Sequence, residues 1–514
     1  MQLQFQPGSE GYTLRPYQAQ AVDDLRASLR RGHRRLLLQA GTGSGKTIIA
    51  SEIIKSAVGK GKLVLFLAHR RELIDQCSAK LDAFGVRHGI IMAGRERQQA
   101  RQVQVASIQT LWSRAMRRDV MTLPSADLVV LDECHRSLAP TYLKLIEHYG
   151  EEAVVLGMTA TPCRGDGRGL GGVYEDMVQA PSVAELTKQG YLVPVRYFAP
   201  SAPDLHGVRV RMGDYVEGEL EERMDKEPLI GNLVETWGRL ADGRKTVVFA
   251  TGVKHSIHIR DEFLRAGVAC AHIDGNTPLD EREDTLYALL RHDLQVVTNC
   301  MVLTEGWDCP PVSCCVLARP TKSIGLYLQM AGRTLRPWEG KTDCLLLDHS
   351  SNVATHGFVD QPVPWALLED SKVQDRVKER KRERKDPNPV VCPQCKAMFI
   401  GKAACPACGW RPQRTGEEYR WVDGQLVEVT SDGEKDVPYS QAAKLAWYRQ
   451  LVALARSRGY KEGWIAHTYK KKFGAWPPRI WQGAQPEAPS PEVLGYVRHL
   501  AIKYAKRREA QTGP

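Results

Sequence analysis

Residues Gly41-Thr42-Gly43-Ser44-Gly45-Lys46-Thr47 form a G-x-x-x-x-G-K-[ST] loop between an apolar run, Arg35–Gln39, and a helical pattern, Thr47–Ala57. No other feature restricts the fold as much. A strand that turns through glycines into a helix aims successive backbone N–H groups into one space, where they wrap phosphate oxygens. Lys46 adds a point charge for the β- and γ-phosphates, and Thr47 a hydroxyl for Mg²⁺. This geometry belongs to the C-terminal edge of a parallel sheet, so the surrounding chain is expected to be α/β.

The rest of the chain agrees. Apolar runs at Arg35–Gln39, Leu63–Ala68, Val103–Ser107, Leu128–Asp132 and Val154–Thr159 alternate with longer mixed segments. A second set follows at Thr246–Ala250, Ala269–Ile273, Gln295–Thr298, Ser313–Leu317 and Cys344–Leu347. Alternation of this kind predicts parallel sheets with helical crossovers. At 514 residues the chain exceeds one ordinary core. The expected architecture is two tandem α/β domains with parallel sheets, then a small cysteine knuckle and a mainly helical C-terminal domain. The expected boundaries are 1–195, a connector at 196–225, 226–368, a basic linker at 369–388, the knuckle at 389–412, a small hairpin at 413–438, and the helical region 439–514.

Asp132-Glu133 closes the apolar run Leu128-Val129-Val130-Leu131. A carboxylate there lies beside the phosphate loop; Asp132 is suited to hold Mg²⁺ and Glu133 to polarise the attacking water. Upstream, in Arg15-Pro16-Tyr17-Gln18, the planar amide of Gln18 matches the edge of adenine. About 280 residues beyond the loop stands Gln329-Met330-Ala331-Gly332-Arg333-Thr334-Leu335-Arg336, read as the other half of the nucleotide site. A nucleotide held by both halves opens and closes the gap between them, as a motor requires.

These stretches resemble the superfamily 2 helicases of the DEAD/DEAH-like group, and they occur in family order over about residues 10–350; the resemblance implies that the two parallel-sheet domains are tandem RecA-like motor domains. RPYQ (15–18) resembles the adenine-reading element, and GTGSGKT resembles motif I. AHRREL (68–73), ASIQT (106–110), DECH (132–135) and TATP (159–162) resemble motifs Ia, Ib, II and III. VVFATG (247–252), LTEGWD (303–308) and QMAGRTLR (329–336) resemble motifs IV, V and VI. The resemblance implies that Arg15 and Gln18 contact the base, that Gly41, Thr42, Gly43, Ser44, Gly45, Lys46 and Thr47 hold the phosphates, and that Arg333 and Arg336 are arginine fingers. It further implies that Gln329 senses the γ-phosphate, that Gly306 and Asp308 lie near the ribose, and that His135, Thr159 and Thr161 couple hydrolysis to domain movement. Motifs Ia, Ib, IV and V would hold one strand's backbone, which tracks a strand without reading its sequence. The stretches TATPCR, QGYLVP (189–194), RPTKSIGLYLQMAGRTLRP (319–337) and GKTDCLLLDHS (340–350) further resemble bacterial RadD-like and phage-encoded helicases. This chain has a single set of four clustered cysteines where RadD-type chains have a more elaborate region. A single-strand-binding protein is therefore a partner by resemblance only.

Cys392-Pro-Gln-Cys395 and Cys405-Pro-Ala-Cys408 present four thiolates on two tight turns, suited to tetrahedral Zn²⁺. The remaining nine of the 13 cysteines lack ligand spacing and suit a reducing interior. Ser371–Lys385 sets eight Lys/Arg against three Asp/Glu, a solvated helix or linker. Segment 460–482 interleaves Tyr460, Trp464, Tyr469, Phe473, Trp476 and Trp481 with Lys461 and Lys470–Lys472. It reads either as a small packed core or as a surface where bases stack and lysines meet phosphates.

Net charge is +11, which suits a nucleic-acid partner. No apolar run reaches the roughly 20 residues of a membrane span, and the start lacks the pattern of a secretory signal. The expected activity is ATP-dependent translocation on single-stranded or branched DNA, in the cytoplasm of a bacterial or phage-infected cell. The alternatives are an RNA helicase and the translocating subunit of a restriction system. ATP, Mg²⁺ and Zn²⁺ are the expected cofactors; nothing in the sequence fixes the oligomeric state.

Overall fold

The computed structural model describes residues 13–95, 101–150, 152–199, 203–211, 213–368, 370–384, 389–400, 404–411, 441–473, 475–490, 493–494, 496–497 and 500. The hairpin expected at 413–438 lies outside them, as does the basic end of the tail. The chain divides into two compact units, Met1–Arg414 and Thr415–Pro514.

The first unit contains two sheets. The strands of the first are β1 (Arg35–Gln39), β2 (Val64–Ala68), β3 (His88–Ile91), β4 (Val103–Ser107), β5 (Leu128–Asp132), β6 (Val154–Thr159) and β7 (Asp176–Gln179), in the order β3-β4-β2-β5-β6-β1-β7. Every pairing in it is parallel. Strands β2, β4 and β5 are buried along their whole length, because helices cover both faces. That is why β2 and β5 read as continuous apolar runs rather than alternating ones. The pairings Gln39↔Thr159 and Asp132↔Met158 put the ends of β1, β5 and β6 on one edge of the sheet. The phosphate loop leaves from that edge into the helix Lys46–Val58.

The second sheet is built from β8 (Val195–Phe198), β11 (Thr246–Phe249), β12 (Cys270–Ile273), β13 (Val296–Asn299), β14 (Cys314–Leu317), β15 (Cys344–Asp348), β16 (Val390–Val391) and β17 (Ala397–Phe399), with a separate two-residue pair, β9 (Val210–Arg211) and β10 (Asp214–Tyr215), lying outside it. Its order is β12-β13-β11-β14-β15-β8-β17-β16, parallel as far as β8 and antiparallel beyond. Two α/β domains in tandem are thus the observed architecture.

Three of the expected boundaries differ from the observed arrangement. The segment read as a connector begins inside β8, which pairs with β15 and belongs to the second sheet. Prolines at 194, 200 and 203 flank this short strand and masked its apolar character. The knuckle is not a separate body: β17 pairs with β8 through Ala397↔Phe198 and Met398↔Tyr197 and extends the sheet. The basic segment is a helix, Val373–Arg384, whose first turn is docked rather than free. Val373 donates its N–H to the Gly167 carbonyl at 2.9 Å and is buried with Cys163 and Ile324. Just before it, the carbonyls of Leu368 and Leu367 accept from the N–H groups of Gly169 and Gly171. The chain leaving the second domain therefore ties back to the loop after β6.

The second unit packs helices Gln441–Arg458 and Glu462–Phe473 around Trp447, Leu451, Leu454, Tyr469 and Trp481. Gly459, at φ +66°, ends the first helix in the left-handed conformation a C-terminal cap favours. Packing thus claims several aromatics of segment 460–482, while Tyr460 and Trp476 stay exposed, Trp476 by 52%. Among the described residues no helix is long and apolar enough to cross a membrane.

Candidate active site

The phosphate loop is held from behind by the helix Pro16–Arg30. Tyr17 Oη and Gln18 Nε2 both donate to the Ser44 carbonyl, at 2.7 and 3.1 Å. Gln18 Oε1 accepts from the Arg15 N–H at 3.0 Å, so this amide also caps its own helix. Gly45 lies at φ +83°, and a Cβ there would stand 2.5 Å from Gln18 Nε2. Glycine is required twice over, by conformation and by space. The Arg15 guanidinium sits 4.5 Å from the centre of the Tyr191 ring, which in turn lies 5.3 Å from that of Tyr17. Both tyrosines belong to motifs already quoted (RPYQ and QGYLVP), but their pairing was not anticipated. Lys46 Nζ donates to the Ala40 carbonyl at 3.2 Å, spanning the mouth of the loop.

Asp132 and Glu133 are both buried, at 6% and 5% exposure. Glu133 sits at φ +49°, a strained position for a non-glycine residue. Its N–H donates to Asp132 Oδ1 at 3.0 Å. Burial and the neighbouring Glu133 charge raise the Asp132 pKa, against Lys46. Burial also acts to raise that of Glu133, but His135 and Lys46 outweigh it and hold the carboxyl ionised. A divalent cation at Asp132 reverses its share of this balance, because the cation's own charge dominates such a site.

His135, Thr159 and Thr161 meet in one chain. His135 Nδ1 stands 3.3 Å from both Glu133 Oε2 and Thr159 Oγ1, and Thr159 Oγ1 accepts from the Thr161 N–H at 3.1 Å.

The second half-site closes on the first. Gln329 is buried on the helix Ile324–Gly332. Gly332 presses against the phosphate loop so closely that a Cβ would stand 2.5 Å from Thr42 Cβ. Arg336 pairs with Asp308 and runs past Gly43. Arg333 donates to the carbonyls of Thr304 and Trp307 at 3.0 and 2.9 Å. Its burial, with repulsion from Arg336, lowers its pKa to about 10, which still leaves it charged at neutral pH. Gly306, instead of facing the gap openly, gives its carbonyl to Gln76 Nε2 at 2.6 Å. Glu305, inside LTEGWD, was missed by motif reading; it is buried against the first domain and is taken up below.

One expected outcome arises directly. Gly332→Ala places a methyl between the domains without touching either core. Overpacking of this kind costs about 1–3 kcal/mol, so kcat/KM for ATP should fall roughly 5- to 100-fold. Thermal unfolding should barely move. Steady-state ATPase and a melting curve check both.

The four clustered cysteines also come together. Their sulfurs lie within 4.8 Å of one another, with Cys392–Cys408 at 3.6 Å and Cys395–Cys405 at 3.5 Å. Thiolates about 2.3 Å from a tetrahedral ion stand roughly 3.8 Å apart, whereas a disulfide needs about 2 Å. The set therefore fits a metal ion.

Comparison with known proteins agrees with this geometry. Residues 11–164 match the family described as the res subunit of type III restriction enzymes, and 226–337 match the helicase conserved C-terminal domain. Residues 370–418, which include the cysteines, match the ribosomal L32p protein family. A 51.5 kDa protein of a Lactococcus phage is 31% identical over 73% of this chain and 77% of its own length. The putative mitochondrial ATP-dependent helicase irc3 of Schizosaccharomyces pombe is 32% identical over 65% of this chain and 57% of its own. The chain thus spans little more than half of that relative. Among solved structures, a fragment of a putative HsdR subunit of a type I restriction enzyme from Vibrio vulnificus superposes with a TM-score of 0.54 at 23% identity. That superposition covers 68% of this chain and 67% of the fragment. The type ISP restriction-modification enzyme LlaBIII bound to DNA gives 0.51 at 16%, over 72% of this chain and 29% of that one. These two likenesses concern the fold alone, and the narrower likeness to RadD rests on the quoted stretches alone. With two parallel-sheet domains closed on one phosphate loop and both helicase domains matched, the chain belongs to the superfamily 2 helicases, which are nucleic-acid-dependent ATPases.

Proposed function

We propose that this protein is an ATP-dependent translocase and helicase acting on DNA, in repair, recombination or phage replication. The observation that carries the reading is the closure of Gly332 and Arg336 onto the phosphate loop. Lys46 and the loop N–H groups of residues 41–47 bind the β- and γ-phosphates, while Arg15 and Gln18 frame the base. Thr47 and Asp132 would hold Mg²⁺, which would neutralise charge that develops on the phosphates. Glu133 accepts a proton from the attacking water, and Arg333 and Arg336 stabilise the transferring phosphoryl group from the second domain. Gln329 reports the γ-phosphate, and Gly306 and Asp308 lie toward the ribose. His135, Thr159 and Thr161 pass the change to the domain interface. Product release then parts the domains and advances one strand.

The four cysteines hold Zn²⁺. The sequence likeness to endonuclease subunits of type I restriction enzymes from Escherichia coli favours DNA over RNA. A restriction translocase subunit is the second reading. In the C-terminal unit, Lys470 Nζ lies 4.4 Å from the ring centre of the exposed Trp476, a pairing suited to a stacked base beside a phosphate. The cytoplasm of a bacterial or infected cell is the setting this activity needs.

ATPase measured with single-stranded DNA, duplex DNA, forks and matched RNA tests the reading. Stimulation at least severalfold greater with DNA is expected. Greater stimulation by RNA overturns the assignment to DNA, and no stimulation by any of them overturns the translocase.

A further inference from the structure

Glu305 follows the short turn Val302–Thr304 of the second domain, yet the ion-pair partners of its carboxylate, His69, Arg70, His135 and Arg136, lie on the first. Its side chain is only 3% exposed. Oε2 accepts from His69 Nε2 at 2.9 Å and faces Arg70 Nε at 3.4 Å. Oε1 faces Arg136 at 3.3 Å and His135 Nε2 at 3.6 Å. A buried carboxylate is tolerated only while such partners surround it. These partners come together only with the domains shut, so the arrangement belongs to the closed state.

The two ends of this contact differ in purpose. His69 and Arg70 lie in AHRREL, a stretch expected to hold the nucleic-acid strand; Arg70 also donates to the Val302 carbonyl at 3.1 Å, and the His69 carbonyl accepts from Gln109 of ASIQT at 2.9 Å. At the other end, the His135 ring has Glu305 on its Nε2 side and Glu133 on its Nδ1 side, at 3.6 and 3.3 Å. Glu133 Oε2 is buried with no well-formed hydrogen bond among the described residues, and the His135 ring, 3.3 Å away, is its ion-pair partner.

We propose that Glu305 is a positioning residue that transmits domain closure on the strand to Glu133 through His135. The proposal rests on the translocase reading above. A carboxylate delivered from the second domain fixes the imidazole from behind, and the imidazole fixes the carboxylate that accepts the water's proton. When the domains part, Glu305 leaves and Glu133 loses its orientation, so turnover is confined to the state that grips the strand.

The test is steady-state ATPase of the full chain, with and without saturating single-stranded DNA, for wild type, Glu305→Gln, His135→Ala and the double variant. Glu305→Gln is expected to lower the stimulated kcat roughly tenfold or more, with KM for ATP held within about twofold. Residues acting as one unit give non-additive losses, so the double variant should be about as slow as the worse single. Multiplying losses, or a stimulated kcat for Glu305→Gln within about twofold of wild type, overturns the proposal. Should Glu305→Gln melt early, Arg136→Ala serves instead, since that side chain is 44% exposed. It should show the same split, a severalfold lower stimulated kcat at constant KM, and an unchanged kcat overturns the proposal. Wild-type protein that DNA fails to stimulate sinks the translocase reading itself, and is distinguished by that control.

Discussion

Glu133→Gln is expected to leave ATP bound and to stop its hydrolysis. The amide has nearly the volume of the carboxylate, so the buried pocket against Asp132 and His135 keeps its packing. On the proposed mechanism, what it loses is the ability to accept a proton from the attacking water. Losses of a positioned general base run to about 10²–10⁴-fold in rate. Lys46 and the phosphate loop are untouched, and nucleotide affinity should stay within severalfold of wild type. Single-turnover hydrolysis together with binding of a fluorescent ATP analogue separates the two effects. Full ATPase activity in Glu133→Gln means that another group accepts the proton. Lys46→Ala is the complementary case: its charge serves the phosphates in ground and transition state alike, so binding and turnover should both fall.

The second large effect is expected from the cysteine cluster. Cys392 and Cys405 are buried, at 0% and 2% exposure, in the same apolar cluster as Phe198, Trp237 and Leu345 of the second motor domain. Strand β17 covers the edge of β8, which otherwise presents unpaired N–H and C=O groups. Stripping the metal, or Cys405→Ser, should therefore unfold an edge of the motor. Structural zinc contributes apparent free energies of about 10–16 kcal/mol in small peptides, an upper bound here. Even about 4 kcal/mol lowers Tm by roughly 8–16 °C in a domain of this class. ATPase should be lost along the same melting curve. Metal analysis, melting with a chelator and ATPase without nucleic acid measure this. Unchanged melting and basal ATPase, with weakened DNA binding alone, would instead make the cluster a nucleic-acid contact.

Much of the frame was legible because each piece is local. β1, β2, β4, β5 and β6 are legible as strands because burial on both faces makes most of each run apolar. β3, β7 and β8 were missed: each has only four residues, and their burial is patchy. The phosphate loop and the four cysteines could be read from spacing, since neighbouring residues supply most of their geometry. The tail was legible as a helical region, and Gln441–Arg458 is the longest helix in it among the described residues. Its aromatics were not divisible in advance into core and surface, because Trp481 and Trp476 differ only in what packs over them.

Glu305 marks the limit on the other side. It is one acidic residue in a turn, without periodicity or neighbours of its kind, and its partners lie some 170 to 240 residues away in the chain. By itself the sequence determined most of the longer elements, the parallel-sheet class, the phosphate loop and the metal-binding spacing, because hydrophobic period, glycine conformation and ligand spacing act over a few residues. Only the tertiary structure decided that the cysteine element finishes the second sheet, that the basic helix is anchored beside Gly167, and that Glu305 joins two domains. Those contacts are single pairings across long loops. They are selected by which surfaces meet once both sheets are packed, and local chain chemistry carries no record of that choice.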